Sequence, residues 1–157
     1  MSYERATLEL MVDMATRYEA RGDGYACRHI RVDRESRRTR RSVLLVDDQA
    51  AFLEAARSIL SGDARLAIVG TASSGQQALE LLPELSPEIV LLDVQMPGMN
   101  GFEAAQAIRA LAPATRIVLT SSDDDPVYAK NARRVGDGFV SKRSLSAQAL
   151  LDLLDAV

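Results

Sequence analysis

The chain has 157 residues, 47% hydrophobic and 26% charged, a balance that places it among globular proteins and argues against disorder throughout. Aromatic residues make up 4% and Trp is absent, which argues against an extensive base-stacking surface for single-stranded nucleic acid, and a single cysteine, Cys27, excludes an internal disulfide framework and fits a reducing compartment. The formal net charge of −3 is uneven: residues 1–42 carry ten Arg against seven acids, hence +3, and residues 43–157 carry nine Lys or Arg against fifteen acids, hence −6.

The N-terminus is polar, with no apolar secretory core, and no apolar run approaches the ~18 residues of a membrane span, so a cytoplasmic protein is expected. Residues 2–20 lack Gly and Pro, and Leu10, Met11, Met14 and Tyr18 recur at helical spacing with Tyr3 and Thr7 extending the face. An amphipathic helix is expected within residues 1–24, stopped by Gly22 or Gly24. Its Met- and Tyr-rich stripe suits docking on the chain's own domain, homodimerisation, or a heterologous partner, the remaining alternative being a disordered extension or an over-long reading of the gene. Residues 25–42 read as an Arg-rich linker, since residues 28–41 hold seven Arg against Asp33 and Glu35. With no recognition helix and no aromatic interleaving, it offers at most non-specific, salt-sensitive contact with nucleic acid. His29 stands alone, which does not support a metal site there.

From Val43 the pattern becomes an alternation of strands and helices. Val43–Val46 reads as a strand closed by Asp47 and Asp48, followed by a helix over Gln49–Leu60 that stops at Gly62. Leu66–Thr71 is a second strand, and Ser73 or Ser74 caps a helix running to Pro83. Ile89–Leu92 is a buried third strand that ends at Asp93 and breaks into Pro97-Gly98. Asn100 caps a helix ended before Pro113. Arg116–Leu119 leads into Thr120-Ser121-Ser122, Pro126 opens a helix that stops near Gly136, Phe139-Val140 precedes Ser141-Lys142, and Ser144 is expected to cap the last helix. Five strands alternating with five helices imply right-handed crossovers and a parallel sheet covered on both faces.

Four of the five strands end in a polar or charged residue: Asp47-Asp48, Asp93, Thr120-Ser121 and Lys142. In a parallel sheet these ends share one edge, where the crevice of an open α/β sheet binds ligands. Three carboxylates brought together repel one another, and one would protonate unless a cation intervenes. Mg²⁺, which takes oxygen ligands and keeps several waters, suits one or two carboxylates beside a phosphoryl group.

The segments Val43-Leu44-Leu45-Val46-Asp47-Asp48, Leu91-Leu92-Asp93-Val94-Gln95-Met96-Pro97-Gly98-Met99-Asn100-Gly101, Val118-Leu119-Thr120-Ser121 and Gly138-Phe139-Val140-Ser141-Lys142 together resemble the receiver domain of two-component response regulators, over residues 43–157. The resemblance implies a flavodoxin-like five-stranded sheet of order 2-1-3-4-5 with five helices. It implies that Asp93 is the phosphoacceptor, taking a phosphoryl group from a histidine kinase or a phosphotransfer protein. Asp48 would be a direct Mg²⁺ ligand, Asp47 would act largely through water, Asp93 would share the ion, and the backbone carbonyl of Gln95 would be a further ligand. Thr120 and Lys142 would bind phosphoryl oxygens, and Phe139 would turn inward as Thr120 moves. A downstream protein would bind the face formed by the fourth helix, fifth strand and fifth helix.

Three features depart from the family pattern. Arg143 stands where many receivers have Pro, Phe139 lacks the hydroxyl of the commoner Tyr, and Asp123-Asp124-Asp125 adds charge beyond Thr120, which suggests altered pocket electrostatics or a solvated helix start. The leading expectation is a signalling receiver without an output domain. The alternative is a receiver fragment of a DNA-binding transcriptional regulator whose helix-turn-helix domain is absent from this chain. A haloacid-dehalogenase-type phosphatase would need a second acid where Gln95 stands, and Gly70–Gly75 is followed by Gln76-Gln77 instead of the Lys-Ser/Thr of a P-loop.

Overall fold

In the computed structural model residues 40–156 are described; the helix expected over 1–24 and the linker as far as residue 39 lie outside them. Strand β1 (Arg41–Val46) opens two residues ahead of the expected Val43 and is followed by α1 (Ala50–Ser61), β2 (Leu66–Ala72), α2 (Gly75–Leu85), β3 (Ile89–Asp93), α3 (Gly101–Leu111), β4 (Arg116–Ser121), α4 (Pro126–Val135), β5 (Gly138–Ser141) and α5 (Ala147–Asp155). All strand pairs are parallel, in the order β2-β1-β3-β4-β5. The fold is the flavodoxin-like one that the resemblance implies.

Strand periodicity divides the core into two layers. Leu44, Val46, Val90, Leu92, Ile117 and Leu119 face one way, against Ala78 and Leu82 of α2, Ala104, Ala105 and Ile108 of α3, and Ala132 of α4. Val43, Leu45, Ile89, Leu91 and Val118 face the other way, against Ala56 and Leu60 of α1 and Leu150, Leu151 and Leu154 of α5. Each fully buried Leu, Ile or Val contributes about 1.5–3 kcal/mol. The central strand β3, buried along its whole length, is therefore the sheet's most constrained element.

Two local expectations are corrected. Helix α2 continues through Pro83 to Leu85 and ends on Ser86, which adopts φ 41° and donates its N–H to Leu82 O at 2.9 Å. A helical proline forfeits one backbone bond; here the continuation places Leu85 over Gly70, where a Cβ would lie 2.7 Å from Leu85 Cδ1. The last helix is capped by Ser146, whose hydroxyl accepts from Ala149 N–H at 3.0 Å, and not by Ser144, which closes a 3₁₀ turn over Lys142–Ser144. That turn lets Leu145 enter the core before the helix begins.

At the edge of the sheet opposite the carboxyl ends, Asp137 substitutes for missing ladder bonds. Its Oδ2 accepts from Ile117 N–H at 2.8 Å and from Arg109 Nη2 at 2.8 Å, with Arg116 Nε 3.6 Å from Oδ1. Burial pushes this carboxyl up, but the Ile117 amide and the two guanidinium groups outweigh it and hold the group below the ordinary carboxylate range. A carboxylate depressed on folding stabilises above its unfolded pKa, and that contribution is lost as pH falls through the folded value. Asp137→Asn should therefore cost about 1.5–3 kcal/mol at neutral pH. It should also remove part of the stability lost below about pH 4, as read by chemical denaturation across pH.

The loop after β3 turns on glycines. Gly98 adopts φ +76°, and a Cβ on Gly101 would meet Asp93 O at 2.2 Å and Val94 Cα at 2.6 Å. Gly101→Ala must push α3 off the strand end, and a loss of at least about 1–3 kcal/mol is expected in urea unfolding.

Candidate functional site

The strand register assembles the polar strand ends. Asp93 pairs with Thr120, and Val46 pairs with Leu92, so Asp47 follows beside Asp93. Ser121 pairs with Ser141, so Lys142 leaves β5 at the same level. Asp47 N–H still joins the ladder, donating to Ala72 O at 3.0 Å, as Val94 N–H does to Thr120 O at 2.9 Å. The ladder therefore runs as far as Asp47 on β1 and one residue past Asp93 on β3.

Asp47, Asp93 and Thr120 are buried, whereas Asp48 is exposed at the rim. One carboxylate oxygen from each of Asp47, Asp48 and Asp93 lies within 4.8 Å of the others. Lys142 Nζ lies 2.5 Å from Asp47 Oδ2 and 3.6 Å from Asp93 Oδ2, its side chain 9% exposed. Gln49 N–H donates to Asp47 Oδ1 at 2.8 Å and Gln95 N–H to Asp93 Oδ1 at 3.3 Å. Burial pushes the Asp93 carboxyl up to about 6, helped by the Asp47 charge and, more weakly, by that of Asp48. The Lys142 ammonium and the Gln95 amide offset only part of this. One ammonium facing three carboxylates leaves an excess of negative charge.

Thr120 Oγ1 is buried and has no hydrogen-bond partner among the described residues. Leaving such a hydroxyl unpaired costs about 1–3 kcal/mol, a cost that a ligand oxygen would remove. The donor set of three carboxylates, with no His or Cys, is that of a hard divalent cation. Excess charge, oxygen donors and a waiting hydroxyl together fit Mg²⁺ and a phosphoryl group.

The structure brings Asp47, Asp48, Asp93, Thr120 and Lys142 together. Gln95 follows directly, its side chain turned to Tyr128 of α4, where Nε2 donates to the phenolic oxygen at 2.9 Å. Phe139 is half-buried on β5 and packs against the sheet core. The aspartates at 123–125 act locally: Asp125 caps α4 by accepting from Val127 N–H, and Asp123 accepts from Asp125 N–H. Asp124 accepts from Ser141 Oγ at 3.1 Å and from Arg143 Nη1 at 3.2 Å, tying the loop after β4 to the turn after β5. The peptide bonds of the described residues are all trans, so this exposed tie joins the two loops at the position where many receivers have proline. Sequence periodicity places Phe52 on the apolar face of the first helix and not at the site, yet its ring centroid lies 4.4 Å from Lys142 Nζ. The available signal was its place on the first helical turn after the acidic pair.

Comparisons with known proteins identify the family to which this fold belongs. The model of the response regulator receiver domain matches residues 43–155. "Probable transcriptional regulatory protein NarL" of Mycobacterium tuberculosis (strain CDC 1551 / Oshkosh) is 36% identical over 114 residues, covering 72% of this chain and 53% of that protein. The nitrate/nitrite response regulator protein NarL of Escherichia coli (strain K12) is 36% identical over 104 residues, covering 64% and 47%. The solved signal receiver domain of the Mycobacterium tuberculosis NarL superposes with a TM-score of 0.68 at 34% identity, covering 75% of this chain and 98% of that one. The chain thus spans about half the length of the curated relatives it matches. Fold, strand-end chemistry and these likenesses converge: the chain belongs to the response regulator receiver domain family.

Proposed function

We propose that this receiver acts in the cytoplasm, takes a phosphoryl group onto Asp93 from the phosphohistidine of a histidine kinase or phosphotransfer protein, and signals through protein contacts. The observation that carries the reading is the convergence on one buried carboxylate of a single ammonium, Lys142 Nζ at 3.6 Å, and an unpartnered hydroxyl, Thr120 Oγ1.

In the transfer, an Asp93 carboxylate oxygen bonds to phosphorus while the phosphorus–nitrogen bond breaks and its electron pair returns to the donor imidazole. Lys142 and Thr120 bind the phosphoryl oxygens, so this chain contributes mainly position and charge. Asp48, Asp93 and the Gln95 carbonyl would hold Mg²⁺ directly and Asp47 largely through water. Bound Mg²⁺ would neutralise charge on the phosphoryl oxygens and the carboxylates. As Thr120 turns to the phosphoryl group, Phe139 follows, and the change reaches the face of α4, β5 and α5, where a downstream partner binds. Gln95 supplies no second acid, so the phosphoryl group is held as a signal and is not turned over rapidly.

A second reading is favoured by the relatives, several of which are named transcriptional regulators and are about twice as long as the segment that matches this chain. On this reading the chain is the receiver part of a DNA-binding regulator. The chemistry at Asp93 is the same in both, and the sequence of the surrounding gene separates them. Whether residues 1–24 support a homodimer is a further part of the proposal, read by light scattering of the full chain and of residues 42–157.

With Mg²⁺ and acetyl phosphate, the intact mass of the wild type should rise by one phosphoryl group while Asp93→Asn stays unlabelled; equal labelling of both would exclude Asp93 as acceptor. Lys142→Met and Thr120→Ala should slow labelling on the order of 100-fold each. Chelation of Mg²⁺ should abolish labelling, and Asp48→Asn should raise the Mg²⁺ concentration needed by at least about tenfold. An unchanged Mg²⁺ requirement in Asp48→Asn would remove that residue from the ligand set.

A further inference from the structure

We infer that Phe52 is a positioning residue for Lys142: its ring is the fixed support on which the ammonium moves between Asp47 and a phosphoryl group on Asp93. The inference rests on the reading of Asp93 as acceptor, and deepens it. Strand order puts three inter-strand intervals, about 14 Å, between β1 and β5. Lys142 leaves β5 and still reaches Asp47 at the end of β1, lying across the ends of β4 and β3. A flexible four-carbon stem in that position gains from a second, rigid contact.

Phe52 supplies it. The ring centroid is 4.4 Å from Nζ, within cation–π range. The ring is placed by the same turn that places the acids. Asp47 Oδ1 accepts from Gln49 N–H, Gln49 O accepts from Phe52 N–H at 3.1 Å, and Phe52 thus sits in the first turn of α1 with its outer part packed on the α1/α5 side of the core. Lys142 is 9% exposed, so water replaces little of this contact.

The ring differs from the ammonium's other partners in being neutral. A phosphoryl group on Asp93, or a cation held by Asp47 and Asp48, changes what the carboxylates offer the ammonium. The Phe52 face offers the same attraction in every state. It keeps Nζ over the pocket while its anionic partner is exchanged.

The test uses the full chain, with Mg²⁺ and fluoroberyllate as the probe of the phosphoryl state. Phe52→Leu, which keeps the apolar bulk but has no π face, should bind fluoroberyllate about two- to thirtyfold more weakly. Phe52→Tyr and Phe52→Trp should stay close to the wild type. A Phe52→Leu variant that binds as tightly as the wild type, or a Phe52→Tyr variant as weak as Phe52→Leu, would overturn the inference. A second readout needs no ligand. The Lys142 ε-protons should show an upfield ring-current shift in the wild type and in Phe52→Tyr, and the absence of that shift would also overturn it, even where Phe52→Leu does not fold. A wild type that takes no fluoroberyllate while the ring-current shift is present would overturn the acceptor reading, and the ring's role with it. A wild type that binds alongside an unaffected Phe52→Leu would overturn the role of the ring alone.

Discussion

The ammonium of Lys142, 2.5 Å from Asp47 and 3.6 Å from Asp93, is the contact on which the rest of the site depends. Two buried carboxylates side by side, with a third at the rim, are destabilising in a low-dielectric crevice, and one cation offsets only part of the repulsion. The residue of that conflict is visible in Asp93, whose carboxyl is pushed up to about 6 by burial and by Asp47. A site left with excess negative charge and an unpaired hydroxyl is poised for a divalent cation and an oxyanion together. Neither alone would satisfy both Asp93 and Thr120.

Such a site needs a stiff frame, because each of its members would otherwise relax away. The sheet supplies it. Val43–Val46 and Ile89–Leu92 are fully buried between two helical layers, and the next residue of each strand is an acid. Gly101 then lets α3 begin directly against the Asp93 backbone, so the loop holding Gln95 has little room to drift. Stability and chemistry are separated along the strands. At the opposite edge, Asp137 forms a depressed carboxylate hydrogen-bonded to Arg109 and Ile117, the ordinary stabilising arrangement. At the carboxyl edge, the carboxylates are under-neutralised and the pKa of Asp93 moves the other way. The same residue type is thus well neutralised at one end of the sheet and under-neutralised at the other.

Much of this was legible in the sequence because the strands are short apolar runs that stop abruptly. Asp93 after Ile89–Leu92 and Asp47 after Val43–Val46 needed only period and polarity to be placed at one edge, and Asn100 as a cap made the start of α3 equally readable; the structure adds Glu103 as its capping-box partner. Where tertiary packing overrode local preference, reading failed. Pro83 reads as a helix end, yet the burial of Leu82 and the fit of Leu85 over Gly70 carry α2 two residues further. Ser144 and Ser146 have the same capping chemistry, and only the burial of Leu145 decides between them. The aspartates at 123–125 leave a charged pocket mouth and a solvated helix start both open, and the hydrogen bonds favour the second, with Asp125 capping α4 and Asp124 tied to the turn after β5. Phe52 illustrates a different limit: helical spacing assigns it to a core face, and its contact with Lys142 arises between residues ninety positions apart.

The account stands or falls on the claim that these strand ends form one phosphoryl-binding pocket centred on Asp93. A crystal structure of the chain with Mg²⁺ and fluoroberyllate tests it most directly. The account predicts beryllium bonded to an Asp93 carboxylate oxygen, fluorines contacting Thr120 Oγ1 and Lys142 Nζ, and Mg²⁺ bound beside Asp48. Fluoroberyllate bound elsewhere, or Lys142 still paired only with Asp47 while the probe is bound at Asp93, would contradict it.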